Sequence, residues 1–395
     1  MSKTTAESLS EATAARTVLF VINVDWFFVS HFLPFVAEAR RRGYRCCLAC
    51  EITGERARLE AAGVEVFPLA LSRGARSLGS FWRAARGLAR LIEAQAPQVV
   101  HAIGLEAVTT AALGRLWSPR AQFVFAPTGL GYAALRSGLR ARALGRVFPM
   151  VLGRSSAGRV GWIFENEDDP ATFGLVRKRR QGILIVGGAG VDLEAFRPTE
   201  FPARPPLRVA QVSRMIRSKG PDLAVEAVAA LRRAGHPVEL TLVGDPDAFN
   251  PHPVPQTTLQ QWNDMAGVRW TGRQQDIPAV WASHHVACLP SRGGEGLPKS
   301  LIEAAACGRA IVTTDVPGCR ALVRDGIEGF VVPTESAEAL AAALRRLLDT
   351  PGLLENMGHA ARQRAVSGYS DRQVAASVVD YYEHLLAAAA KRRPS

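Results

Sequence analysis

Short apolar runs alternate along this chain with segments of helical periodicity. The runs that read as strands are residues 17–23, 98–101, 123–126, 209–212, 239–243 and 286–289. Continuous apolar runs are typical of strands buried in a parallel sheet, and strands that alternate with helices are typical of doubly wound α/β folds. The pattern predicts an α/β protein whose ligands bind at the carboxyl ends of its strands.

The length of 395 residues and a Pro-rich segment at 199–206 predict two domains of ordinary size. Residues 1–198 are expected to form the first domain and residues 199–370 the second. A long Ala-rich helix is expected over the remainder, residues 371–395.

The stretch 289–319 carries the strongest candidate chemistry. An apolar run ends at Pro290, a Gly-rich turn follows, and a short helix is expected to begin near Pro298 and to end at Gly308. A helix N-terminus presents unpaired amides to an anion. Glu295 in the turn and Glu303 in the helix supply carboxylates that accept hydrogen bonds from vicinal hydroxyls. The stretch therefore predicts a pocket for a phosphate and a polyol, which fits a nucleotide-sugar.

These residues also carry a family resemblance. Glu295, seven residues, Glu303, an Ala-rich helix, a Gly turn and the segment 312–318 together resemble the retaining GT-B glycosyltransferases of family 4. The closer likeness is to members that build capsule, lipopolysaccharide and undecaprenyl-diphosphate-linked oligosaccharides. It implies two Rossmann-like domains that face a central cleft, with the final helix crossing back to the first domain. The alternative is an ordinary strand, turn and helix of an α/β protein.

The resemblance implies a role for each donor-site residue. Arg214 and Lys219, at the mouth of a predicted helix over 221–234, correspond to a diphosphate clamp, which is completed by the amides of Gly296 and Leu297. Glu303 would hold the ribose and Glu295 the donor sugar.

Three further residues are assigned through the same likeness. Arg273, in a segment that resembles the one covering the nucleotide base, is a predicted donor contact, as is Gly244 at the end of the strand 239–243. His101 is expected to begin the loop after its strand and to contact the transferred sugar; a structural histidine is the alternative.

The acceptor is expected to bind the first domain. Asp25, Ser30 and His31 lie in a predicted turn after the first strand, and this turn resembles the subgroup that acts on polyprenyl-linked sugars. Gly129 and Gly131 lie in a Gly-punctuated loop at the same sheet edge. Of Trp26, Phe27 and Phe28, at least two are expected to pack in the core instead.

Positive charge is concentrated in the first half of the chain. Residues 1–198 contain 26 Lys and Arg against 16 Asp and Glu, whereas residues 199–395 contain 22 against 20. Two segments, 78–94 and 135–154, combine apolar positions with several arginines (Arg83, Arg86 and Arg90; Arg136, Arg140, Arg142 and Arg146). Such segments are typical of helices that lie on anionic bilayers, although a solvated face remains the alternative.

The compartment predicted from the sequence is the cytoplasm. No apolar stretch reaches the roughly 18 residues needed to span a bilayer, and the first sixteen residues do not resemble a signal peptide. With the basic surface, this predicts a peripheral protein on the inner face of the cytoplasmic membrane.

Metal and redox chemistry is not expected. Cys47 and Cys50 form a Cys-x-x-Cys pair, for which burial in a strand is the preferred interpretation and a zinc or redox site the alternative. Asp168 and Asp169 are expected to cap a helix. The resemblance implies that no metal or other cofactor is needed and that the anomeric configuration is retained.

The predicted activity is therefore a hexosyltransferase reaction from a nucleotide-sugar, UDP-linked before GDP-linked, to a lipid-linked saccharide of a bacterial surface polysaccharide. Other GT-B enzymes stay open, such as a nucleotide-sugar epimerase or a transferase with a soluble acceptor. The net charge of +12 raises a further alternative, a nucleic-acid-binding protein. It is disfavoured because neither zinc-finger spacing nor a ribonucleoprotein aromatic motif is present, and no nucleic-acid partner is expected.

Overall fold

Two parallel sheets organise the molecule. A computed structural model describes residues 16–71, 78–117, 121–129, 160–173, 175 and 182–391. The first sheet has the order β3-β2-β1-β4-β5-β6-β7, and every strand pairing described in it is parallel. Its strands are β1 Arg16–Val24, β2 Tyr44–Glu51, β3 Val64–Pro68, β4 Val99–Ile103, β5 Gln122–Ala126, β6 Val160–Phe164 and β7 Ile183–Ile185.

The second sheet repeats this topology. Its order is β10-β9-β8-β11-β12-β13, again parallel in every described pairing. The strands are β8 Leu207–Val212, β9 Val238–Val243, β10 Val268–Trp270, β11 Val286–Leu289, β12 Ala310–Thr314 and β13 Gly329–Val332. In both sheets the strand order reverses beside the first strand, and a crevice for ligands opens at the carboxyl ends there. We call the two halves the N-terminal lobe and the C-terminal lobe.

Helices cover the faces of both sheets. Those that connect the strands of the N-terminal lobe are α1 Asp25–His31, α2 Leu33–Arg41, α3 Arg56–Ala61, α4 Leu78–Gln95, α5 Leu105–Gly114 and α6 Asp169–Thr172, with a 3₁₀ turn at Arg115–Trp117. Those of the C-terminal lobe are α7 Pro221–Arg233, α8 Gln256–Asn263, α9 Ile277–Ala282, α10 Lys299–Ala306, α11 Pro317–Leu322, α12 Ala337–Asp349 and α13 Leu353–Gly368, with a 3₁₀ turn at Arg217–Lys219.

The last helix, α14 Asp371–Ala390, returns to the N-terminal lobe. Val374, Val378 and Tyr382 are buried in the apolar cluster of that lobe, against side chains of α2 and the first sheet. Arg42, which follows α2, forms an ion pair of 2.5 Å with Asp380 of α14. The crossing expected from the family resemblance is confirmed.

The segment after β1 is helical, so the prediction of a turn there is wrong. Residues 25–31 form α1, because Phe28 and Phe32, one helical turn apart, both bury their rings in the core. Phe27 packs partly against the same cluster. Two of the three aromatic residues therefore pack in the core, as expected.

The cap expected at α6 is also wrong in detail. Neither Asp168 nor Asp169 caps the helix through its side chain. The amide oxygen of Asn166 accepts hydrogen bonds from the backbone N–H groups of Asp168 and Asp169 instead. Asn166 precedes the helix, so its side chain reaches the first unpaired N–H groups, which belong to the two aspartates.

Some predictions concern residues that the structure does not describe. Gly131 and the basic segment 135–154 lie outside the described residues. Among the residues that the structure does describe, no helix is long and apolar enough to cross a bilayer. All six cysteines are free and buried (Cys46, Cys47, Cys50, Cys288, Cys307 and Cys319).

Candidate active site

The carboxyl ends of the two sheets face each other across a narrow contact. Gly129, after β5, meets the turn that holds Gly294 and Gly296 in the opposite lobe. A Cβ atom on Gly129 would lie only 2.5 Å from the amide nitrogen of Gly296. The backbone φ of Gly129, +82°, also favours glycine at this position. The close approach of these two backbones brings the predicted acceptor side of the cleft against the Gly-rich turn that is predicted to bind the donor.

Lys219 and Glu295 form the central ion pair of the cleft. The Lys219 ammonium donates to both carboxylate oxygens of Glu295 at 2.6 Å. The Ser291 hydroxyl donates to the same carboxylate at 2.7 Å. Lys219 comes from the turn after β8 and Glu295 from the turn after β11, which are neighbouring strands. The switch point of the second sheet thus brings together two residues far apart in sequence.

His31 of the N-terminal lobe is within electrostatic range of three cations of the C-terminal lobe. Burial and then the charges of Lys299, Arg214 and Lys219 lower the pKa of His31 to about 3. The imidazole is therefore neutral at physiological pH, and its Nδ1 is 2.6 Å from the Ser30 hydroxyl. Lys299 donates to the Ser30 carbonyl across the cleft. Ser30 and His31, the predicted acceptor residues, thus lie at the contact between the lobes, beside Lys299.

Glu303 projects from α10 into a buried setting. Burial raises its pKa to about 7, although the charge of Lys299, 3.9 Å away, lowers it. A carboxyl group of this kind gains or loses its proton near neutral pH. It can therefore accept hydrogen bonds from sugar hydroxyls when ionised and donate to them when protonated.

The remaining predicted donor residues lie around the ends of β8, β9 and β10. Arg214 is half-exposed and pairs with Asp247 at 2.5 Å. Gly244 accepts a hydrogen bond from the Trp270 indole through its carbonyl. The exposed Arg273 donates its backbone N–H to Asp245 at 3.2 Å.

Asp25 does not face the cleft as a free carboxylate, which corrects its predicted place. Its side chain is fully buried and accepts hydrogen bonds from the hydroxyl and amide of Thr53 and from the amides of Gly54 and Glu55. Burial raises its pKa, but these bonds outweigh burial and lower the pKa overall. Asp25 therefore ties the loop after β2 to the start of α1.

His101 is likewise a core residue, contrary to the prediction. It lies inside β4, not at the start of a loop, and its side chain is 1% exposed. Its ring packs beside Phe20 and Phe35, and its Nδ1 is 2.6 Å from the Tyr382 hydroxyl. Burial lowers its pKa to about 3, so it stays neutral. We do not retain it as a catalytic residue.

Three residues of the cleft were not selected from the sequence. Glu165, directly after β6, accepts the Leu297 amide at 2.7 Å across the cleft. Asn166 donates to the Gly296 carbonyl at 3.4 Å. Lys299 reaches Ser30 and Glu303. The position of Glu165 at the end of a parallel strand was a signal that could have selected it. Within the part of the chain that the structure describes, no group of three or more His, Cys, Asp or Glu could hold a metal ion.

Two family models match the chain in succession. Residues 17–143 match the model described as "Glycosyl transferase 4-like". Residues 206–350 match the model described as "Glycosyl transferases group 1". The chain belongs to the family 4 glycosyltransferases. The first match lies within the N-terminal lobe and the second within the C-terminal lobe, apart from its first residue, which precedes β8.

Two curated relatives are similar to this glycosyltransferase in sequence. The N,N'-diacetylbacillosaminyl-diphospho-undecaprenol alpha-1,3-N-acetylgalactosaminyltransferase of Campylobacter jejuni is 24% identical over 65% of the chain and 69% of that protein. The MMP alpha-(1->4)-mannosyltransferase of Mycolicibacterium hassiacum is 32% identical over 52% of the chain and 49% of that protein. The chain thus spans about two thirds of the first and half of the second.

A solved structure establishes the fold. HepE of Anabaena, solved in complex with UDP and glucose, superposes with a TM-score of 0.72 over 93% of this chain and 99% of that one, at 16% identity. The glycosyltransferase therefore has the GT-B fold, as the resemblance implied. At this identity the likeness concerns the fold alone.

The arrangement in the cleft suits the chemistry of this enzyme class. Fixed cations and backbone amides lie on the C-terminal lobe, a neutral imidazole faces them from the N-terminal lobe, and a carboxylate holds the central lysine. Such groups stabilise negative charge that develops on a phosphate leaving group.

Proposed function

We propose that this glycosyltransferase moves a hexose, with retention of anomeric configuration, from a UDP-linked donor to a lipid-linked saccharide. The acceptor we propose is an intermediate of a bacterial surface polysaccharide: lipopolysaccharide, capsule or exopolysaccharide. The observation that carries the proposal is the placement of Lys219 beside Glu295 and of Lys299 on the Ser30 carbonyl at the GT-B cleft. Arg214 lies in the same turn as Lys219, and cations grouped at such a cleft suit a diphosphate.

The donor diphosphate binds, in this proposal, between the turn after β8 and the turn after β11. Arg214 and Lys219 neutralise it, and the amides of Gly296 and Leu297 complete its hydrogen bonds. Glu303 accepts the ribose hydroxyls and Glu295 orients the donor sugar through its link to Lys219. Gly244 and Arg273 contact the nucleotide from the ends of β9 and β10.

Catalysis rests on charge stabilisation. Negative charge grows on the diphosphate as the glycosidic bond breaks, and fixed cations bind this charge more tightly in the transition state than in the ground state. The reaction therefore proceeds, as we propose, without a metal ion. His31 is neutral and close to these cations, so it can accept a hydrogen bond from the incoming acceptor hydroxyl.

The acceptor approaches from the N-terminal lobe, past Ser30, His31 and Gly129. A lipid-linked acceptor is supported by the Campylobacter jejuni relative, whose name specifies an undecaprenol-diphosphate substrate. A UDP-linked donor is supported by the HepE complexes with UDP.

A membrane-facing surface supports the lipid-linked acceptor. Arg83, Arg86 and Arg90 are exposed on α4. Beside them Trp82 and Trp117 are 47% and 46% exposed, with ring centroids 5.7 Å apart. Exposed Trp next to Arg is typical of surfaces that enter the headgroup region of an anionic bilayer. We propose that the enzyme is a peripheral protein on the inner face of the cytoplasmic membrane.

A thermal-shift panel of UDP-, GDP- and ADP-sugars tests the donor. A ligand that binds only the folded state raises the melting temperature. At a ligand concentration of about a hundred times Kd, the free energy of unfolding increases by about 2.7 kcal/mol. We expect UDP-sugars to give the largest shift in wild type and a much smaller one after Arg214→Ala. Exposed Arg233→Ala is the matched control. No shift with any nucleotide-sugar would reject the donor site.

The same nucleotide-sugars test the reaction. With undecaprenyl-diphosphate-linked saccharide in anionic vesicles, we expect transfer of the sugar and release of UDP. Isomerisation of the donor in the absence of any acceptor would instead identify an epimerase, and transfer only to a soluble sugar would reject the lipid-linked acceptor.

A further inference from the structure

Glu165 is a carboxylate that the proposed mechanism does not use, yet it lies at the centre of the cleft. It follows β6 in the N-terminal lobe and reaches the last residues of the Gly-rich turn between β11 and α10 in the other lobe. Its Oε2 atom accepts the backbone N–H of Leu297 at 2.7 Å. A Cβ atom on Gly296 would collide with this oxygen, so glycine at this position allows the contact.

The position of this oxygen is informative. The N–H of Leu297 is one of the two amides to which the proposed function assigns the donor diphosphate. One N–H group aimed at one oxygen satisfies a single acceptor well. The Glu165 carboxylate and a phosphate oxygen are both anionic acceptors, so they compete for this amide.

The surroundings of Glu165 disfavour its negative charge. Asp169, on its own side of the cleft, and Glu295, on the opposite side, are the nearby charged groups that act on it. Lys219, the cation closest to Glu295, is held by that residue through both carboxylate oxygens. Among the described residues, no basic side chain forms an ion pair with Glu165. A diphosphate that arrived beside an ionised Glu165 would add a further repulsion.

We propose that Glu165 takes the place of a donor phosphate oxygen on the Leu297 amide, and that the enzyme must release this contact to bind its nucleotide-sugar. Glu165 is then a positioning residue that controls nucleotide affinity and lobe contact. This inference rests on the proposed function, because it assumes that the diphosphate uses the Leu297 amide.

The protonation state of Glu165 has a defined consequence for binding. Burial, followed by Asp169 and Glu295, raises its pKa to about 7, while the bond from Leu297 lowers it. Below this pH the neutral carboxyl group is a weaker acceptor and does not repel the diphosphate. Above it the ionised group holds the amide and repels the ligand. Nucleotide binding should therefore take up a proton and weaken as pH rises through 7.

Calorimetric titration of the full-length protein with UDP and with GDP, at pH 6, 7 and 8, tests this inference. The variants are wild type, Glu165→Gln and, as a matched control, Glu167→Gln, which neutralises an exposed carboxylate two residues away. The terminal phosphate of the nucleotide titrates equally in all three proteins, so it cancels in the comparison. At each pH, the Kd of wild type and that of Glu167→Gln are divided by the Kd of Glu165→Gln. We expect both ratios to rise by about tenfold from pH 6 to pH 8. At pH 8 Glu165→Gln should bind about tenfold more tightly than wild type.

The outcomes separate this inference from the proposed function. Binding of a nucleotide with the same pH profile in Glu165→Gln and wild type would overturn the inference and leave the donor site standing. Absence of binding in every variant at every pH would reject both. If Glu165→Gln does not fold, Glu165→Asp serves instead, because its side chain is shorter by one methylene group and withdraws the carboxylate from Leu297. It should also bind UDP more tightly than wild type, and equal affinity would contradict the inference.

Discussion

At the scale of single residues, the carboxylates of the cleft differ in their partners and therefore in their tasks. Glu295 accepts hydrogen bonds from Lys219 and Ser291, so its charge is compensated. Glu303 is buried with Lys299 3.9 Å away, and burial raises its pKa to about 7. Glu295 is suited to orient a fixed cation, whereas Glu303 is suited to exchange hydrogen bonds with a neutral ligand.

Lys219→Ala is expected to impair the chemical step. The substitution removes the cation that the proposed mechanism places at the leaving diphosphate, and such losses lower kcat by roughly 10²–10³-fold. Steady-state kinetics at saturating donor measures the effect. Arg217→Ala, two residues away and exposed, is the matched control and should stay near wild-type activity. A normal kcat in a folded Lys219→Ala protein would remove Lys219 from catalysis.

Glu303→Gln is expected to weaken donor binding. In the proposed function Glu303 accepts hydrogen bonds from the ribose hydroxyls. Charge-assisted hydrogen bonds contribute about 1.5–3 kcal/mol, so their loss corresponds to an increase of about 10–150-fold in donor KM. The amide keeps the size of the side chain, so the fold should be retained. Donor and acceptor KM are measured separately, and acceptor KM should not change. Equal donor KM in the two proteins would contradict the assignment to ribose.

At the scale of elements, α14 is fastened to the sheet of the N-terminal lobe through its tyrosines. Tyr381 accepts the backbone N–H of Trp162 at 3.1 Å, and Tyr382 bonds to His101 at 2.6 Å. Both contacts fasten the last helix to the first sheet. His101 is therefore a partner of α14, and burial keeps it neutral.

Tyr382→Phe is expected to loosen this helix without affecting chemistry. The change leaves the buried Nδ1 of His101 without its partner, which costs about 1–3 kcal/mol. Hydrogen exchange should increase in residues 371–390, while kcat of the folded enzyme stays constant. Tyr369→Phe removes a comparable bond to Ala321 within the C-terminal lobe and is the control. A specific loss of kcat in Tyr382→Phe would return His101 to the active site.

At the scale of the whole molecule, the arginines of α4 and a pair of exposed tryptophans lie on the same lobe. The arginines of α4 and the exposed Trp82 and Trp117 occur in the N-terminal lobe, which also presents Ser30 and His31 to the cleft. A surface that binds the membrane through this lobe would bring a membrane-embedded acceptor towards the acceptor side of the cleft.

Replacement of Arg83, Arg86 and Arg90 by Gln is expected to weaken binding to anionic vesicles. Each arginine near an anionic surface contributes about 1 kcal/mol, so the triple variant should lose roughly a hundredfold in partition coefficient. Vesicle co-sedimentation at low and high salt measures this loss. A triple variant of exposed arginines in the C-terminal lobe, Arg217, Arg233 and Arg269, is the charge-matched control. Equal binding of both variants would exclude docking through α4.

Part of the fold follows from local pattern. The apolar run of β11, the Gly-rich turn after it and α10 were predictable because strand composition, turn glycines and helix ends are encoded within a few residues. The same holds for α4, whose apolar and basic faces alternate at helical spacing. The family resemblance depended on such a local string, and the GT-B fold followed from it.

The remaining features required the tertiary structure, because they depend on contacts between residues far apart in sequence. The sequence by itself indicated two α/β lobes, a glycosyltransferase of family 4 and two candidate donor-side cations, Arg214 and Lys219, but not Lys299. Only the structure decided that Asp25 and His101 are buried, since their partners Thr53 and Tyr382 lie on other elements. It alone placed Glu165 on the Leu297 amide, because the distance between sheet edges is a property of lobe packing and leaves no local signature.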